Sequence, residues 1–224
     1  NSFIEQINQK NNIRIKEIQI DCDWTLSSKD NYLRFIEAFR KVSAKKLSAT
    51  IRLHQIKYFD KTKIPNVDRG VLMYYNMGKI AADSLNSIYD RNIANRYLSS
   101  LKSYPLPVDI ALPIYSWGIH IRDDRIIGLR NKSDVNSLSK NRSFIRTNDY
   151  WFKCKSAIFI NGIFFKENDQ LKLEKISEND LLEMTNDLEE NTIQNPKEII
   201  FYDLDEFNLK NYEKDIFKKV IDYF

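Results

Sequence analysis

Residues 13–24 read Ile-Arg-Ile-Lys-Glu-Ile-Gln-Ile-Asp-Cys-Asp-Trp, and this stretch decides the fold class. Its apolar residues alternate with polar ones, which is typical of a β-strand, and polar groups take over at its end. Apolar residues at helical spacing follow over residues 33–42, and a second strand at residues 47–54 comes soon after them. The order strand, helix, strand predicts two parallel strands joined by a right-handed crossover.

The same alternation continues along the chain. Further strands are predicted at residues 70–76, 107–117 and 198–203, and further helices at residues 2–12, 87–101, 177–190 and 209–223. Strands that alternate with helices indicate the α/β class and a parallel sheet. No internal linker divides the sequence, so we expect a single domain over residues 1–224.

Residues 118–175 are less regular and are interpreted as a hairpin insertion. One hairpin is predicted over residues 119–129, with its turn at Asp123 and Asp124. A second hairpin is predicted to pair residues 156–165 with residues 170–175.

The composition excludes several classes of protein. Lys and Arg number 35 against 31 Asp and Glu, and the two signs are interspersed, so no nucleic-acid partner is expected. Cys22 and Cys154 lie far apart without a second pair, which argues against a zinc site or a disulfide framework. The chain has only five glycines and no glycine-rich phosphate loop, so no cofactor is predicted. No apolar run is long enough to predict a transmembrane segment.

Functional side chains of parallel α/β proteins gather at the carboxyl ends of the strands. Each predicted strand here ends in polar or aromatic residues, namely Asp21, Asp23 and Trp24; Arg52 and His54; Tyr75 and Asn76; Tyr115 and Trp117; Asp203 and Asp205. The two-residue period of a strand puts Asp21 and Asp23 on one face. These groups suit a carbohydrate, because aromatic rings stack on sugar faces while polar groups bind the hydroxyls.

Five stretches carry a resemblance to known proteins. They are Ile-Gln-Ile-Asp-Cys-Asp-Trp-Thr at 18–25, Leu-Ser-Ala-Thr-Ile-Arg-Leu-His at 47–54, Val-Asp-Arg-Gly-Val-Leu-Met-Tyr-Tyr-Asn at 67–76, Asn-Gly-Ile-Phe-Phe-Lys-Glu-Asn-Asp-Gln-Leu at 161–171 and Phe-Tyr-Asp-Leu-Asp-Glu at 201–206. Over most of its length the chain resembles a group of uncharacterised bacterial proteins, many of them predicted lipoproteins of Bacteroidetes. The resemblance implies a glycoside-hydrolase-like (β/α) TIM-type barrel, in an extracytoplasmic lipoprotein whose membrane anchor lies outside these residues.

The expected barrel is partial. A complete eight-unit barrel takes about 250 residues, whereas this chain of 224 residues supplies five strand–helix units and a hairpin insertion. We therefore expect an open five-stranded sheet that corresponds to the C-terminal part of a barrel, with three further units before Asn1.

Two of the stretches are also distantly similar to the family 18, chitinase-like glycoside hydrolases. That family carries Asp-x-x-Asp-x-Asp-x-Glu on its fourth barrel strand and Met-x-Tyr-Asp on its sixth. If the last strand here is the eighth, the first becomes the fourth and the third becomes the sixth. Asp21 and Asp23 then match the second and third acidic positions, and Met73 and Tyr75 match the methionine and the tyrosine.

The sequence departs from that family at three positions. Ile18 stands at the first acidic position, Thr25 stands at that of the catalytic glutamate, and Asn76 stands at that of the aspartate. Protonation of the leaving oxygen needs a carboxylic acid, which neither a hydroxyl nor an amide replaces. Either Asp23 is the acid, with Asp21 close by favouring retention of its proton, or the barrel is a glycan-binding or scaffold protein without a catalytic acid.

The catalytic candidates are therefore Asp21 and Asp23. The candidate substrate-binding residues are Arg52, His54, Tyr75, Asn76, Tyr115, Trp117 and Asp203.

Structural roles are the alternative for these residues. Asp21 and Asp23 would accept hydrogen bonds from loop N–H groups or pair with Arg52, and the aromatic rings would fill the barrel. Asp203 and Asp205 would cap the final helix or its loop. The stretch Val-Asp-Arg-Gly at residues 67–70 is interpreted as a structural ion pair that leads into the third strand. Asp21 and Asp23 lack a clear third ligand, so no metal is predicted. The oligomeric state does not follow from the sequence.

Overall fold

The computed structural model describes residues 1–192 and 194–224. Its strands are β1 (Glu17–Ile20), β2 (Lys46–Arg52), β3 (Arg69–Met73), β4 (Val108–Pro113), β5 (Ser116–Arg122), β6 (Arg125–Asn131), β7 (Phe144–Arg146), β8 (Trp151–Cys154), β9 (Ile158–Ile160), β10 (Ile163–Phe165), β11 (Gln170–Lys175) and β12 (Ile199–Tyr202). Its helices are α1 (Ser2–Lys10), α2 (Lys29–Val42), α3 (Leu53–Lys57), α4 (Phe59–Thr62), α5 (Arg91–Leu98), α6 (Val135–Lys140), α7 (Glu178–Asn191), α8 (Glu206–Leu209) and α9 (Lys214–Ile221). No helix within the described ranges is long and apolar enough to cross a membrane.

Strands β1, β2, β3, β4 and β12 form a parallel sheet in that order. In one row across it, Ile51 of β2 faces Leu72 of β3, which in turn faces Ile110 of β4 and, beyond it, Ile199 of β12. These are the five strands predicted from the sequence. β1 and β12 are the two edges, and no strand in the described ranges pairs with their outer sides. The sheet is therefore open, as expected for part of a barrel.

Helices cover the outer face of this sheet. Ile51, Leu72 and Ile110 are fully buried there, and each such side chain contributes about 1.5–3 kcal/mol through burial. The helices supply Tyr32 and Ile36 from α2, Ala94 and Leu98 from α5, Leu181, Met184 and Leu188 from α7, and Ile216 and Val220 from α9. The alternate positions Thr50 and Val71 face the opposite, inner side of the curved sheet.

Arg69 joins four strands at the amino end of the sheet. Its guanidinium lies 2.9 Å from Glu17 and 2.8 Å from Glu198, and it also pairs with Asp109, whose side chain is almost completely buried. Asp109 Oδ1 in turn accepts hydrogen bonds from the backbone N–H groups of Lys197 and Glu198 at 2.7 and 2.9 Å. The structural ion pair predicted at this point is present and extends from β1 to the start of β12.

The insertion is a second sheet, which is antiparallel and has the order β6-β5-β11-β8-β7. The predicted hairpin around Asp123 and Asp124 is confirmed as β5 and β6, and both turn residues have positive φ, as a tight two-residue hairpin requires. The inner face of the sheet has its own small core, which contains Phe144, Phe152 and Leu171.

The second predicted hairpin is wrong. Residues 158–165 form a hairpin by themselves, β9 with β10, whose turn is Asn161-Gly162, both with positive φ. β11 instead pairs with β5 on one side and with β8 on the other. Asn-Gly is among the strongest hairpin signals in a sequence, so a local turn takes precedence over the pairing predicted between residues 156–165 and 170–175.

Three predicted boundaries also differ. The first strand is limited to Glu17–Ile20, because only these residues reach the partner β2. The predicted fourth strand, residues 107–117, divides into β4 and the first part of β5. The last predicted helix, residues 209–223, is limited to α9 (Lys214–Ile221), and the short helix α8 (Glu206–Leu209) precedes it.

Candidate functional site

Asp21 and Asp23 lie in the loop directly after β1, and each has a partner on β2. Thr50 Oγ1 donates a hydrogen bond of 2.9 Å to Asp21 Oδ1, and Arg52 Nη2 donates one to Asp23 Oδ2. Thr50 and Arg52 are two residues apart on β2 and therefore share its inner face. The two exposed carboxylates accordingly lie on the same side of the sheet, and the ion pair to Arg52 occupies one of them.

The residues after Asp23 have structural roles. The Trp24 ring is buried and stacks on Tyr32 with 4.3 Å between the ring centroids, and its Nε1 donates to the Thr62 carbonyl. Thr25 Oγ1 lies 2.8 Å from Ser27 Oγ and within a turn that leads into α2. The position at which the family 18 pattern has its catalytic glutamate thus carries a hydroxyl, and this hydroxyl belongs to a local turn.

An aromatic cluster lies at the carboxyl ends of β3, β4 and β12. The rings of Tyr75 and Tyr202 are stacked, with 5.6 Å between their centroids and planes 8° apart. Tyr115 stands nearly perpendicular to both, at 6.0 Å from Tyr75 and 5.9 Å from Tyr202. Trp117 lies 5.4 Å from Tyr115. Tyr202 is half exposed, so part of this cluster is open to solvent.

A cleft of about 230 Å³ opens beside this cluster. Its lining consists of Asn76, Tyr115, Ser116, Trp117, Asn131, Lys132, Tyr202, Asp203 and Asn208. Asn76 Oδ1 accepts a hydrogen bond of 2.6 Å from the Tyr115 hydroxyl, which fixes both side chains at the rim. Aromatic faces with a few fixed polar groups are the composition expected of a small-molecule site.

Trp117 reaches the cleft from an element that the sequence did not predict for it. It belongs to β5, the first strand of the insertion, rather than to the end of the fourth barrel strand. Its Nε1 donates a hydrogen bond of 2.8 Å to Glu174 Oε2 on the neighbouring strand β11. The insertion therefore supplies one wall of the cleft.

Asp203 and Asp205 differ in their roles. Asp205 is the N-cap of α8, where it accepts from the Phe207 N–H at 2.8 Å, and it pairs with Lys132 at 2.6 Å. The capping role that was the structural alternative therefore applies to Asp205. Asp203 accepts a hydrogen bond from the Asn208 side chain and lines the cleft, and its role in binding stays a prediction.

His54 lies on α3 rather than at a strand end, because β2 stops at Arg52. Its side chain is exposed. Partial burial of the ring and the charge of Arg52 lower the pKa of His54, and Asp23 opposes this shift. His54 is thus a neutral imidazole near the Asp23–Arg52 pair at neutral pH.

Electrostatics connects the acidic pair with the aromatic cluster. Burial is the main cause that raises the pKa of Tyr75, followed by Tyr202 and then by the charges of Asp21 and Asp23. Burial likewise raises the pKa of Tyr115, with contributions from Tyr75 and Tyr202. The phenols therefore stay protonated, and they act as neutral hydrogen-bonding groups beside two carboxylates.

The predicted site residues fall into two groups at the carboxyl end of the parallel sheet. Asp21, Asp23, Arg52 and His54 lie at the ends of β1 and β2. Asn76, Tyr115, Trp117 and Asp203 line the cleft, and Tyr75 packs against the cleft residues Tyr115 and Tyr202. Sequence reasoning missed Tyr202, Lys132 and Glu174. Tyr202 ends β12 directly before Asp203, so the strand-end rule was sufficient to find it. Among the described residues, no group of three or more His, Cys, Asp or Glu side chains is arranged to hold a metal ion.

Comparison by sequence finds no matching protein-family model and no matching curated protein. Comparison by structure does find similar folds. The spore cortex-lytic enzyme SleL of Bacillus cereus matches 100% of this chain and 51% of its own, with a TM-score of 0.58 at 16% identity. The Group IV chitinase of Ostrinia furnacalis matches 99% of this chain and 71% of its own, with a TM-score of 0.54 at 10% identity.

The class V chitinase of Nicotiana tobaccum gives a similar result, with a TM-score of 0.54 at 9% identity over 98% of this chain and 70% of its own. The chain spans about half the length of the SleL structures. At these identities the likeness establishes the fold alone. The fold is thus the predicted α/β, TIM-type partial barrel, and it is distantly similar to that of chitinase-like glycoside hydrolases.

Proposed function

We propose that the carboxyl edge of this partial barrel binds a carbohydrate, with Tyr75, Tyr115, Trp117 and Tyr202 as the aromatic surface of the site. The observation that carries the proposal is the stacked Tyr75–Tyr202 pair with Tyr115 perpendicular to it, beside a cleft lined by polar groups. Such rings offer flat apolar faces to the C–H face of a sugar, while Asn76, Ser116 and Asp203 offer fixed partners to its hydroxyls.

The structures with similar folds suggest which carbohydrates to test first. They are described as chitinases and as spore cortex-lytic enzymes, so chito-oligosaccharides and fragments of spore cortex are the first probes. In the setting that the sequence resemblance implies, an extracytoplasmic bacterial lipoprotein, the site would meet glycans outside the cytoplasm.

Binding without turnover is the form of the proposal that the geometry favours. Thr25 offers no acid, and Asp23 serves as an acid only if its ion pair with Arg52 opens. Asp203, the carboxylate that lines the cleft, is held by Asn208. Hydrolysis is the second candidate function, because Asp21 and Asp23 are exposed on the same inner face, beside the aromatic cluster, with Asp23 as acid and Asp21 as its modulator.

Calorimetric titration with chito-oligosaccharides tests binding, and chromatography of the same mixtures tests hydrolysis. We expect binding without released products. Tyr202→Ala should weaken binding about tenfold, while Tyr223→Ala, which removes a similarly exposed tyrosine outside the cleft, should leave it unchanged. Product release that disappears in the Asp21→Asn/Asp23→Asn double variant would establish the second candidate instead. If neither chito-oligosaccharides nor fragments of spore cortex bind, both the binding proposal and the hydrolysis proposal are contradicted, and the scaffold alternative is favoured.

A further inference from the structure

Strand β11 of the insertion buries two charged side chains, Lys172 and Glu174. Their side chains are only 4% and 1% exposed, and Lys172 Nζ lies 2.7 Å from Glu174 Oε1. Removing two charges from water costs several kcal/mol per ion before their attraction offsets it. Their neighbours on β5 are Ile119 and Trp117, so β5 itself supplies no charged partner for either ion there.

The second oxygen of Glu174 contacts a residue that lines the cleft. Glu174 Oε2 accepts the 2.8 Å hydrogen bond from Trp117 Nε1 and another from the hydroxyl of Ser87, which is itself buried. A carboxylate is a strong acceptor, and a charge-assisted bond holds the edge of the indole in one direction. The orientation of the Trp117 ring at the cleft therefore depends on Glu174.

Lys172 holds the segment that follows β3. Its ammonium donates to the carbonyls of Ala81 and Leu85 at 3.3 and 2.5 Å, and to Asp83 Oδ1 at 3.2 Å. The Asn86 side chain adds a hydrogen bond of 2.8 Å to the backbone carbonyl that follows Glu174 along β11. This segment, residues 81–87, begins a few residues after the cleft residue Asn76, so the same ion pair contacts both Trp117 and the chain that continues from Asn76.

We propose that Lys172 and Glu174 are positioning residues of the carbohydrate cleft, which fix Trp117 and residues 81–87 against the insertion sheet. Neither side chain lines the cleft. They act through Trp117 and through the segment after β3, so the insertion is a structural part of the binding site. The role in carbohydrate binding rests on the proposed function. The hydrogen bond from Trp117 to Glu174 is measurable without any ligand.

The first experiment observes the Trp117 indole directly. The chain has three tryptophans, so its ¹H–¹⁵N spectrum has three indole N–H resonances, and Trp117→Phe identifies the relevant one. Glu174→Leu removes the acceptor and should move this resonance and speed its hydrogen exchange by at least about tenfold, whereas Glu174→Gln keeps an acceptor oxygen and should preserve the protection. The resonance of Trp24, which donates to Thr62, is the internal control.

The second experiment is a double-mutant cycle on the affinity for chito-oligosaccharides. Glu174→Leu should weaken binding about tenfold in the native background but have almost no effect in the Trp117→Phe background, because the indole donor is already absent. Asp187→Asn is the matched control. It removes another buried carboxylate, paired with Arg91 on α5, and should lower stability without changing Trp117 or the affinity.

The results separate the inference from the function. An unchanged Trp117 resonance in Glu174→Leu, or an equal loss of affinity in both backgrounds, would overturn the positioning role. If the native chain binds no glycan, the proposed function fails, and the indole measurement alone then decides the contact. If the Glu174→Leu variant does not fold, the double variant Lys172→Met/Glu174→Leu takes its place in both experiments, because it leaves no unpaired buried charge.

Discussion

The Tyr75 ring is stacked on the Tyr202 ring with 5.6 Å between their centroids, although Tyr75 follows β3 and Tyr202 ends β12, two strands that are separated by β4. This contact brings side chains from the carboxyl ends of β3 and β12 into one aromatic surface. Tyr115, which follows β4, packs nearly perpendicular to both rings. Three parallel strands are thus joined at their carboxyl ends by aromatic contacts, in addition to their backbone hydrogen bonds.

The first prediction concerns Tyr75. Tyr75→Phe keeps the ring stacked on Tyr202 and should leave carbohydrate affinity within about twofold, whereas Tyr75→Leu removes the flat face and should lower the affinity about tenfold. Calorimetric titration of both variants measures the difference. Equal affinities for the two variants would mean that the ring face does not contact the ligand.

The second prediction concerns the ion pair between Arg52 and Asp23. Both side chains are about half exposed, so Arg52→Met should change the free energy of unfolding by less than about 1 kcal/mol. The same variant frees the Asp23 carboxylate, whose charge acts on Tyr75, and we expect affinity for a glycan to change several-fold. Lys219→Met, which breaks an equally exposed pair with Asp215, is the control and should change neither quantity. A variant of Arg52 that behaves like this control would place the pair outside the site.

Much of this organisation was predictable from the sequence. Buried apolar runs at residues 47–54 and 70–76 predicted parallel strands, since both faces of such strands are covered. The strand-end rule then selected Asp21, Asp23, Tyr75 and Tyr115 without any knowledge of their partners. The partial barrel followed from the count of strands and from the family resemblance.

The non-local partners were not predictable in the same way. β11 pairs with β5 and β8 across long stretches of chain, and no local pattern in residues 170–175 indicates this choice. The alternating pattern of this strand consequently predicts that Lys172 and Glu174 are surface charges, although the segment after β3 covers them. Trp117 was predicted at the cleft, but on the end of the fourth strand rather than on the insertion.

The third prediction is a pH dependence of the insertion sheet. His120 and Asp169 are completely buried, with 2.7 Å between His120 Nε2 and Asp169 Oδ2, and Arg122 donates two bonds to the same carboxylate. Burial lowers the pKa of His120, and the nearby arginines add to this effect against Asp169. The Arg122 and His120 bonds outweigh burial and lower the pKa of Asp169 to about 2.

The direction of the pH dependence follows from comparing the pKa values of these two groups in the folded and the unfolded chain. An unfolded histidine takes up its proton near pH 6.5, before the folded one does, so stability falls as the pH drops below about 6.5. The Asp169 contribution, about 2 kcal/mol, is complete above the unfolded value near pH 4 and is lost as the pH falls towards 2. Asp169→Asn should therefore flatten the curve between pH 4 and pH 2, measured by chemical denaturation. A native-like slope in that variant would show that other groups control acid unfolding.

The last prediction separates stability from binding at opposite ends of the sheet. Arg69→Met leaves the buried Asp109 carboxylate without its main cation, and Glu17 and Glu198 nearby add repulsion. Breaking a buried pair by removing one partner costs about 3–5 kcal/mol, so the variant should unfold at clearly lower denaturant concentration. Arg69 lies at the amino end of β3 and the cleft lies at the carboxyl ends, so the affinity of the folded fraction should stay within about twofold of the native value. Arg69→Met/Asp109→Asn should recover part of the stability, because no uncompensated charge is then buried. Loss of affinity that persists in this rescued variant, under conditions where it is fully folded, would mean that the amino end of the sheet controls the geometry of the cleft.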